Sequence, residues 1–417
     1  MYKIAIITIG DEICIGQITN TNASWIATKC TELGAMVITH SAIRDDKEAL
    51  ISDLNRLIPQ SNMIIITGGL GPTHDDITKS VLTEYFKDEL ILNSQIADNL
   101  KARFEKMGRV FTERNLSLAF IPSKAIPLDN QIGTAPGLLF EVNNTKIIAL
   151  PGVPSEMKYI MENSVLLIVK DEIIRNNYEV NLYKIINVAG IAESDLADLI
   201  GDTNEFLDGN SLAFLPSYKG IRLRIGVFAK DFDSGFNEIK RIEGILFKKI
   251  GNYIFSTGET TLSKKIGELL TIRKKTVAVA ESCTGGMLGA EFTSNPGSSI
   301  YFVGGCIVYS NEAKEKILKV DKELLLTKGA VSKEVVEQMA ENVRILFNTD
   351  YGVGITGIAG PDGGTTEKPV GTVWVAVSSN SLILSKKFVF TQDRAVNRER
   401  SVGAALTMLH QLIMDDN

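Results

Sequence analysis

Histidine is scarce in this chain, with three in 417 residues, at His40, His74 and His410. None lies near a candidate nucleophile in sequence, which disfavours a Ser-His-Asp triad or a His-activated thiol. The four cysteines, Cys14, Cys30, Cys283 and Cys306, are scattered, with no C-x-x-C pair. A disulfide scaffold is thereby excluded, and a reducing, cytoplasmic setting is expected. No apolar run approaches the ~18 residues of a membrane span. The opening M-Y-K-I-A-I-I-T-I-G-D ends its short apolar run in an acid pair, so it reads as a first strand and not a signal peptide. Positive charge is in deficit: 44 Lys and Arg stand against 50 Asp and Glu, a net charge of -6. Direct nucleic-acid binding and adhesion to an anionic membrane are therefore not expected. Three familiar loops are also missing. No G-K-[ST] follows the glycines at Gly68–Gly71, so they are not a Walker A loop. No first glycine precedes Ser282 to make a G-x-S-x-G elbow. No G-x-x-G with basic flanks supports RNA binding.

What remains is an ordinary globular composition, 44% hydrophobic and 23% charged, long enough for about three domains. The fold class expected is α/β, with a doubly wound domain over residues 1–168, a small α+β connecting domain over 169–254, and an α/β domain over 255–417. In the first domain, apolar runs predict strands at Lys3–Ile9, Met36–Ala42, Met63–Thr67 and Ile147–Leu150. Helices are predicted at 22–33, Lys47–Leu57 and 77–86. Two strand ends carry adjacent carboxylates, Asp11 with Glu12 and Asp75 with Asp76. On neighbouring parallel strands these would repel one another unless a hard cation or a proton sat between them. Gly68, Gly69 and Gly71 leave room for a phosphate to approach backbone N–H groups, with Thr73 beside them. A divalent, Mg-type or transition metal and a phosphorylated ligand are the expected pair. His74 is a further candidate ligand, although a loop histidine is more often simply exposed.

The middle segment suggests a strand at 182–188, helices at 169–176, 193–201 and 235–250, and a strand at 221–228. Arg222 and Arg224 share one strand face, which reads as a solvated stripe. A geometric spacer is the expected role.

The third domain centres on V-A-V-A-E-S-C-T-G-G at 277–286. A buried strand gives way to a loop with Ser282 at the turn, and the backbone N–H groups of Thr284, Gly285 and Gly286 lie near a helix N-terminus, where an oxyanion or phosphate could be received. Strands are expected at 304–309, 351–356 and 371–377, and helices at Leu262–Arg273 and 312–318. Lys314 falls in the first turn of the last helix. Three strand ends would then converge: Ser282, Tyr309 with Lys314, and the Gly357–Gly364 loop. Serine and lysine form a nucleophile–base couple once burial lowers the lysine pKa. Cys283 is a rival nucleophile, and Thr284 a rival hydroxyl on the same loop. Arg394, Arg398 and Arg400 include candidates for a substrate phosphate, with at least one expected to be a surface residue.

These motifs resemble the CinA family. Gly10–Glu12, G-G-L-G-P-T-H-D-D at 68–76, G-T-A-P-G at 133–137 and L-P-G-V-P-S-E-M at 150–157 look like its amino-terminal domain, which has a molybdopterin-binding-like fold. That resemblance implies a metal-dependent ADP-ribose pyrophosphatase. One departure is Asn20-Thr21-Asn22 where the family often has D-T-N, which removes a carboxylate from position 20. The position of the middle segment resembles the family's KH-like domain. A-E-S-C-T-G-G, Y-S-N-E-A-K at 309–314, G-A-V-S at 329–332, G-I-T-G-I-A-G-P-D-G-G at 354–364, K-P-V-G-T-V-W-V-A at 368–376 and D-R…R-E-R at 393–400 look like its nicotinamide mononucleotide (NMN) deamidase domain. The resemblance implies Ser282 as nucleophile and Lys314 as base. It implies Tyr309, Thr356 and Arg398 as residues that orient or bind the substrate, with no cofactor for that step; Glu281, Gly285, Gly286, Asn311, Gly357, Gly360 and Arg394 are further candidate substrate-binding residues. NMN and ADP-ribose are the expected small-molecule partners, in a homodimer. The alternative is a non-catalytic nucleotide- or pterin-binding protein acting in competence or DNA damage through partners.

Overall fold

A computed structural model describes every residue except His74, Asp75 and Asn417. By compactness the chain divides into two units, Met1–Tyr183 with Gly226–Arg241, and Lys184–Ile225 with Ile242–Asn417.

The N-terminal strands are β1 (Lys3–Ile9), β2 (Met36–Ile43), β3 (Met63–Thr67), β4 (Leu90–Leu92), β5 (Phe120–Pro122), β6 (Ile126–Leu128), β7 (Gly137–Val142) and β8 (Thr145–Leu150). Six form a sheet in the order β2-β1-β3-β8-β7-β6, while β4 and β5 pair separately. β2, β1, β3 and β8 run parallel, and β7 and β6 continue antiparallel. The central strands K-I-A-I-I-T-I and M-I-I-I-T are buried almost throughout, as continuous apolar runs must be when helices cover both faces. From β1 the chain steps to β2 on one side and then crosses to β3 on the other. That reversal opens a crevice at the carboxyl ends of β1 and β3.

The connecting domain holds β9 (Val180–Val188), β10 (Ser211–Ser217), β11 (Gly220–Ala229) and β12 (Ile254–Thr257), in the order β10-β11-β9-β12. β10 and β12 carry no clear sequence signal: Pro216 and two serines interrupt the first, and the second has four residues. The boundary expected at 168–169 falls inside the helix Leu166–Arg175, which continues without a break from Pro154.

The C-terminal strands are β13 (Val277–Glu281), β14 (Phe302–Ile307), β15 (Tyr351–Gly357), β16 (Thr372–Ser378) and β17 (Ile383–Val389). Their order is β14-β13-β15-β16-β17, with the first three parallel and the rest antiparallel. The same reversal recurs here, at the carboxyl ends of β13 and β15. Helix Lys333–Leu346 lies very close on β15, and glycine makes that possible. A Cβ at Gly352 would stand 2.1 Å from the Ala340 carbonyl oxygen, and one at Gly354 would stand 2.7 Å from that of Val336. On the other face of the sheet, helix Arg394–Asp415 buries Val402, Leu406 and Leu409 against Val353, Ile355 and Val375.

Candidate functional site

Strand β13 ends at Glu281, and Ser282 extends its pairing by one residue, its N–H donating to the Ile355 carbonyl at 3.0 Å. The Gly285 N–H then donates to the Ser282 carbonyl at 3.1 Å and closes the turn. Gly285 and Gly286 have φ of 60° and 96°, a backbone that only glycine adopts cheaply. The turn is held from inside by Glu281, 1% exposed. Its carboxylate accepts from the N–H groups of Gly286 (3.0 Å), Leu288 (3.1 Å) and Gly289 (2.8 Å). An anion there matches the positive end of helix Met287–Thr293. The expectation that the Gly285 and Gly286 N–H groups face a substrate anion is thus corrected, because the chain's own groups occupy both. Glu281, expected to bind substrate, is likewise committed to the loop.

Lys314 reaches the same place from the next strand end. β14 stops at Ile307, two residues earlier than expected, so Val308 and Tyr309 lie in the turn and their carbonyls leave the ladder. Ser310 caps helix Asn311–Leu318, its hydroxyl accepting from the Ala313 N–H at 3.1 Å. The cap directs the first turn of that helix inward. Lys314 is 1% exposed, and its Nζ lies 3.0 Å from Ser282 Oγ, 2.8 Å from the Val308 carbonyl and 3.3 Å from that of Tyr309. Burial, opposed weakly by the Cys283 side chain, lowers its pKa to about 8. The Cys283 thiol is buried too, and burial pushes its pKa up to about 11, which removes the thiolate at neutral pH. Thr284 is fully buried, and its hydroxyl has no hydrogen-bond partner among the described residues.

The third strand end brings Thr356, 1% exposed, whose hydroxyl donates to the Ala330 carbonyl at 2.9 Å, joining two of the sequence motifs. Gly357 packs against Val373, and the Gly360 carbonyl accepts from Arg394 Nη1 at 2.9 Å. Arg394 opens a helix capped by Asp393, and its Nη2 donates to the Tyr309 hydroxyl at 3.3 Å. Arg398, one turn on, donates from Nη2 to the Thr284 carbonyl at 2.8 Å and keeps a buried Nε without a partner. Among the described residues neither arginine forms an ion pair. Arg400 instead sits over the Tyr218 ring at 5.8 Å, away from this cluster. Asn311 is exposed at its helix start. Asn397 was missed in the sequence, where nothing separates it from a helix-surface amide. Fully buried, it donates to the Ala359 and Thr391 carbonyls at 2.9 Å each, pinning the Gly357–Gly364 loop to the arginine-bearing helix.

In the N-terminal domain, β1 and β3 are parallel neighbours, with Thr8 opposite Thr67. Asp11 and Glu12 follow β1, both exposed, in the short helix Asp11–Cys14. Gly68 (φ 111°) and Gly69 (φ 66°) follow β3, and a Cβ on either would strike the Ile9 carbonyl or the Thr78 hydroxyl. The Asp76 carboxylate accepts from the Thr73 N–H at 2.8 Å and from its hydroxyl. A Cβ at Gly71 would stand 2.5 Å from that carboxylate. His74 and Asp75 lie outside the described residues. Among those described, no three His, Cys, Asp or Glu side chains converge, so they do not by themselves make a cation cage. Asn20, where the resemblance leads one to expect Asp, caps helix Thr21–Glu32 and donates to the Thr8 hydroxyl at 2.9 Å. Glu156 accepts from the Asn130 side-chain amide (2.6 Å) and the Thr134 N–H (3.1 Å), tying P-G-V-P-S-E-M to G-T-A-P-G.

Family models match the chain in three consecutive stretches: "Probable molybdopterin binding domain" over residues 5–171, "Damage-inducible protein CinA KH domain" over 183–256 and "CinA C-terminal domain" over 259–413. A CinA-like protein of Salinibacter ruber is 38% identical over 97% of this chain and 98% of its own length. Another, from Cytophaga hutchinsonii, is 38% identical over 98% of each. A crystal structure of competence/damage inducible protein CihA from Agrobacterium tumefaciens is 37% identical, covering 36% of this chain and 93% of that one, with a TM-score of 0.36. Full-length identity of this order, with three domain matches in sequence, means that the chain belongs to the CinA family.

Proposed function

We propose that the C-terminal domain is an amidohydrolase that converts nicotinamide mononucleotide to nicotinic acid mononucleotide and ammonia. The observation that carries this reading is the buried Ser282–Lys314 pair, 3.0 Å apart. A neutral lysine amine has two N–H donors and one lone pair. With two donors on the Val308 and Tyr309 carbonyls, the lone pair is left for the Ser282 hydroxyl. Ser282 Oγ attacks the carboxamide carbon as its proton passes to Lys314. The Cys283 and Thr284 N–H groups make no backbone–backbone hydrogen bond among the described residues, and in this reading they turn to the oxyanion. Lys314 then returns the proton to the departing nitrogen, releasing ammonia and leaving an acyl-serine. A water molecule, deprotonated by Lys314, attacks the acyl carbon and restores the serine. Arg394 and Arg398, which have no carboxylate partner among the described residues, suit the 5′-phosphate of the substrate. The test is ammonia release from NMN by wild-type protein and by Ser282→Ala. Release that is absent from folded wild type would leave the loop as a ligand-binding feature and bring forward a non-catalytic nucleotide-binding role.

We infer for the N-terminal domain a phosphorylated-nucleotide substrate, ADP-ribose, hydrolysed to AMP and ribose 5-phosphate with a divalent cation. Two observations favour it: the crevice where β1 and β3 end side by side, and the glycines that clear its floor. Turnover of ADP-ribose with and without EDTA tests it. No helix in the described residues is long and apolar enough to cross a membrane.

A further inference from the structure

Strands β10 and β11 of the connecting domain are joined by two residues, Tyr218 and Lys219. The turn is stiffened by its own bonds: the Ser217 hydroxyl donates to the Gly220 carbonyl at 2.8 Å and accepts from the Lys219 N–H at 3.3 Å. It lies directly on helix Arg394–Asp415. A Cβ at Gly403 would stand 2.3 Å from the Tyr218 carbonyl oxygen, so only glycine admits this approach. One turn earlier, Arg400 sits over the Tyr218 ring. One turn later, a Cβ at Gly190 would stand 3.2 Å from the Thr407 methyl group, and beyond it Phe255 of β12 meets His410 edge-on. Positions 400, 403, 407 and 410 fall on one face of an α-helix. The helix is therefore shared. One face packs on the C-terminal sheet, a second carries the connecting domain, and its first turns hold Arg394 and Arg398.

Lys219 extends this contact to the nucleophile loop. Its Nζ lies 2.5 Å from Glu291 Oε2 and 3.8 Å from Glu399 Oε2. Glu291 belongs to helix Met287–Thr293, which starts directly after Gly286 and whose first N–H groups hold Glu281. The other Glu291 oxygen accepts from the Ser263 hydroxyl at 3.1 Å, and Ser263 is buried on helix Leu262–Arg273. Glu291 is thus a node joining the Tyr218–Lys219 turn, that helix and the helix behind Ser282. Two carboxylates within reach of one ammonium stand close to each other, and without the cation they repel. Glu399 follows Arg398 in sequence, so the repulsion would act on both helices that bear site residues. Exposed ion pairs contribute little because their side chains wander. Here the Glu291 side chain is 17% exposed and the lysine is seated by the backbone contact at Gly403.

We propose that the Tyr218–Lys219 turn is part of the C-terminal site, with Lys219 a positioning residue that holds the helix behind Ser282 through Glu291. Its role in turnover rests on the deamidase reading above, whereas its hold on the loop does not. The experiment compares full-length wild type with Lys219→Met and Lys219→Arg, well below their melting temperatures, by NMN kinetics and by amide hydrogen exchange. Lys219→Met is expected to lower kcat roughly tenfold with little change in KM and an unmoved pH limb. Lys219→Arg, which can still span the two carboxylates, should recover most of the loss. A role in stability alone would lower the melting temperature and leave the kcat of folded protein at the wild-type value. Gly403→Ala drives the turn off the helix, so adding Lys219→Met to it should cost little more. Exchange over residues 286–293 should quicken in Lys219→Met while that over 351–357 stays the same. With an active wild type, an unaltered kcat in Lys219→Met overturns the proposal, as does full additivity with Gly403→Ala. With a wild type that releases no ammonia the deamidase reading fails, and equal exchange over 286–293 then overturns the hold on the loop as well.

Discussion

Lys314 Nζ lies 3.0 Å from Ser282 Oγ, and its two other partners are carbonyl oxygens, those of Val308 and Tyr309. No carboxylate is paired with it among the described residues, so the amine can lose its proton at moderate pH. Two strand ends, 32 residues apart in sequence, thereby make one proton-transfer unit.

Removing either member should stop the chemistry without unfolding the domain. Ser282→Ala and Lys314→Met are expected to lower kcat for NMN deamidation by roughly 10³-fold or more, with melting curves close to wild type. Lys314→Met preserves the buried volume, which Lys314→Ala would leave as a cavity. Ammonia assays on both variants check this, and wild-type rates in either would remove that residue from the mechanism.

The pH dependence follows from the same pair. Lys314 acts as a base only when neutral, and burial sets its pKa near 8. The kcat/KM profile should therefore fall about tenfold per pH unit below pH 8 and level off above it. The lowered pKa also means that the folded state holds fewer protons than the unfolded chain between about 8 and 10.5. Stability contributed by this group thus rises with pH across that window. The wild-type minus Lys314→Met difference in denaturant midpoint isolates it, and a flat difference would contradict the assignment.

Glu281 discriminates loop-holding from substrate contact. Glu281→Gln turns one of the two carboxylate oxygens into an NH2 donor, so one or two of the three backbone N–H groups lose their acceptor and the anion is removed, for a loss of about 1–3 kcal/mol. The expected kinetic signature is a lower kcat with little change in KM and an unmoved pH limb. A selective rise in KM would return Glu281 to the substrate.

Gly352→Ala probes the sheet under the site. The new methyl group meets a backbone oxygen that cannot rotate away, so the loss should be about 1–3 kcal/mol or more by urea unfolding. A neutral effect would mean that helix Lys333–Leu346 is free to shift.

At the other end of the chain, EDTA and Asp76→Ala should each abolish ADP-ribose hydrolysis while NMN deamidation continues. A rate indifferent to EDTA would remove the metal from the N-terminal reading.

Much of this was written in local sequence. The runs at 3–9, 63–67 and 277–281 fix buried parallel strands, because continuous β-branched and aliphatic residues can be satisfied only between two layers. Glycines at 285–286 mark a left-handed turn, and Ser282 with Lys314 stood out by type. Sequence could not say where Glu281 points, since an acid after a strand looks the same whether it faces a ligand or caps the next helix. Nor could it place Asn397, whose four hydrogen bonds arise only when a loop and a helix meet. The Lys219–Glu291 pair is of the same kind, built from a turn and a helix that share no motif. Local pattern sets the elements, because backbone geometry and burial act over a few residues. The partners of each buried polar group come from strand order, and that was decided by tertiary packing.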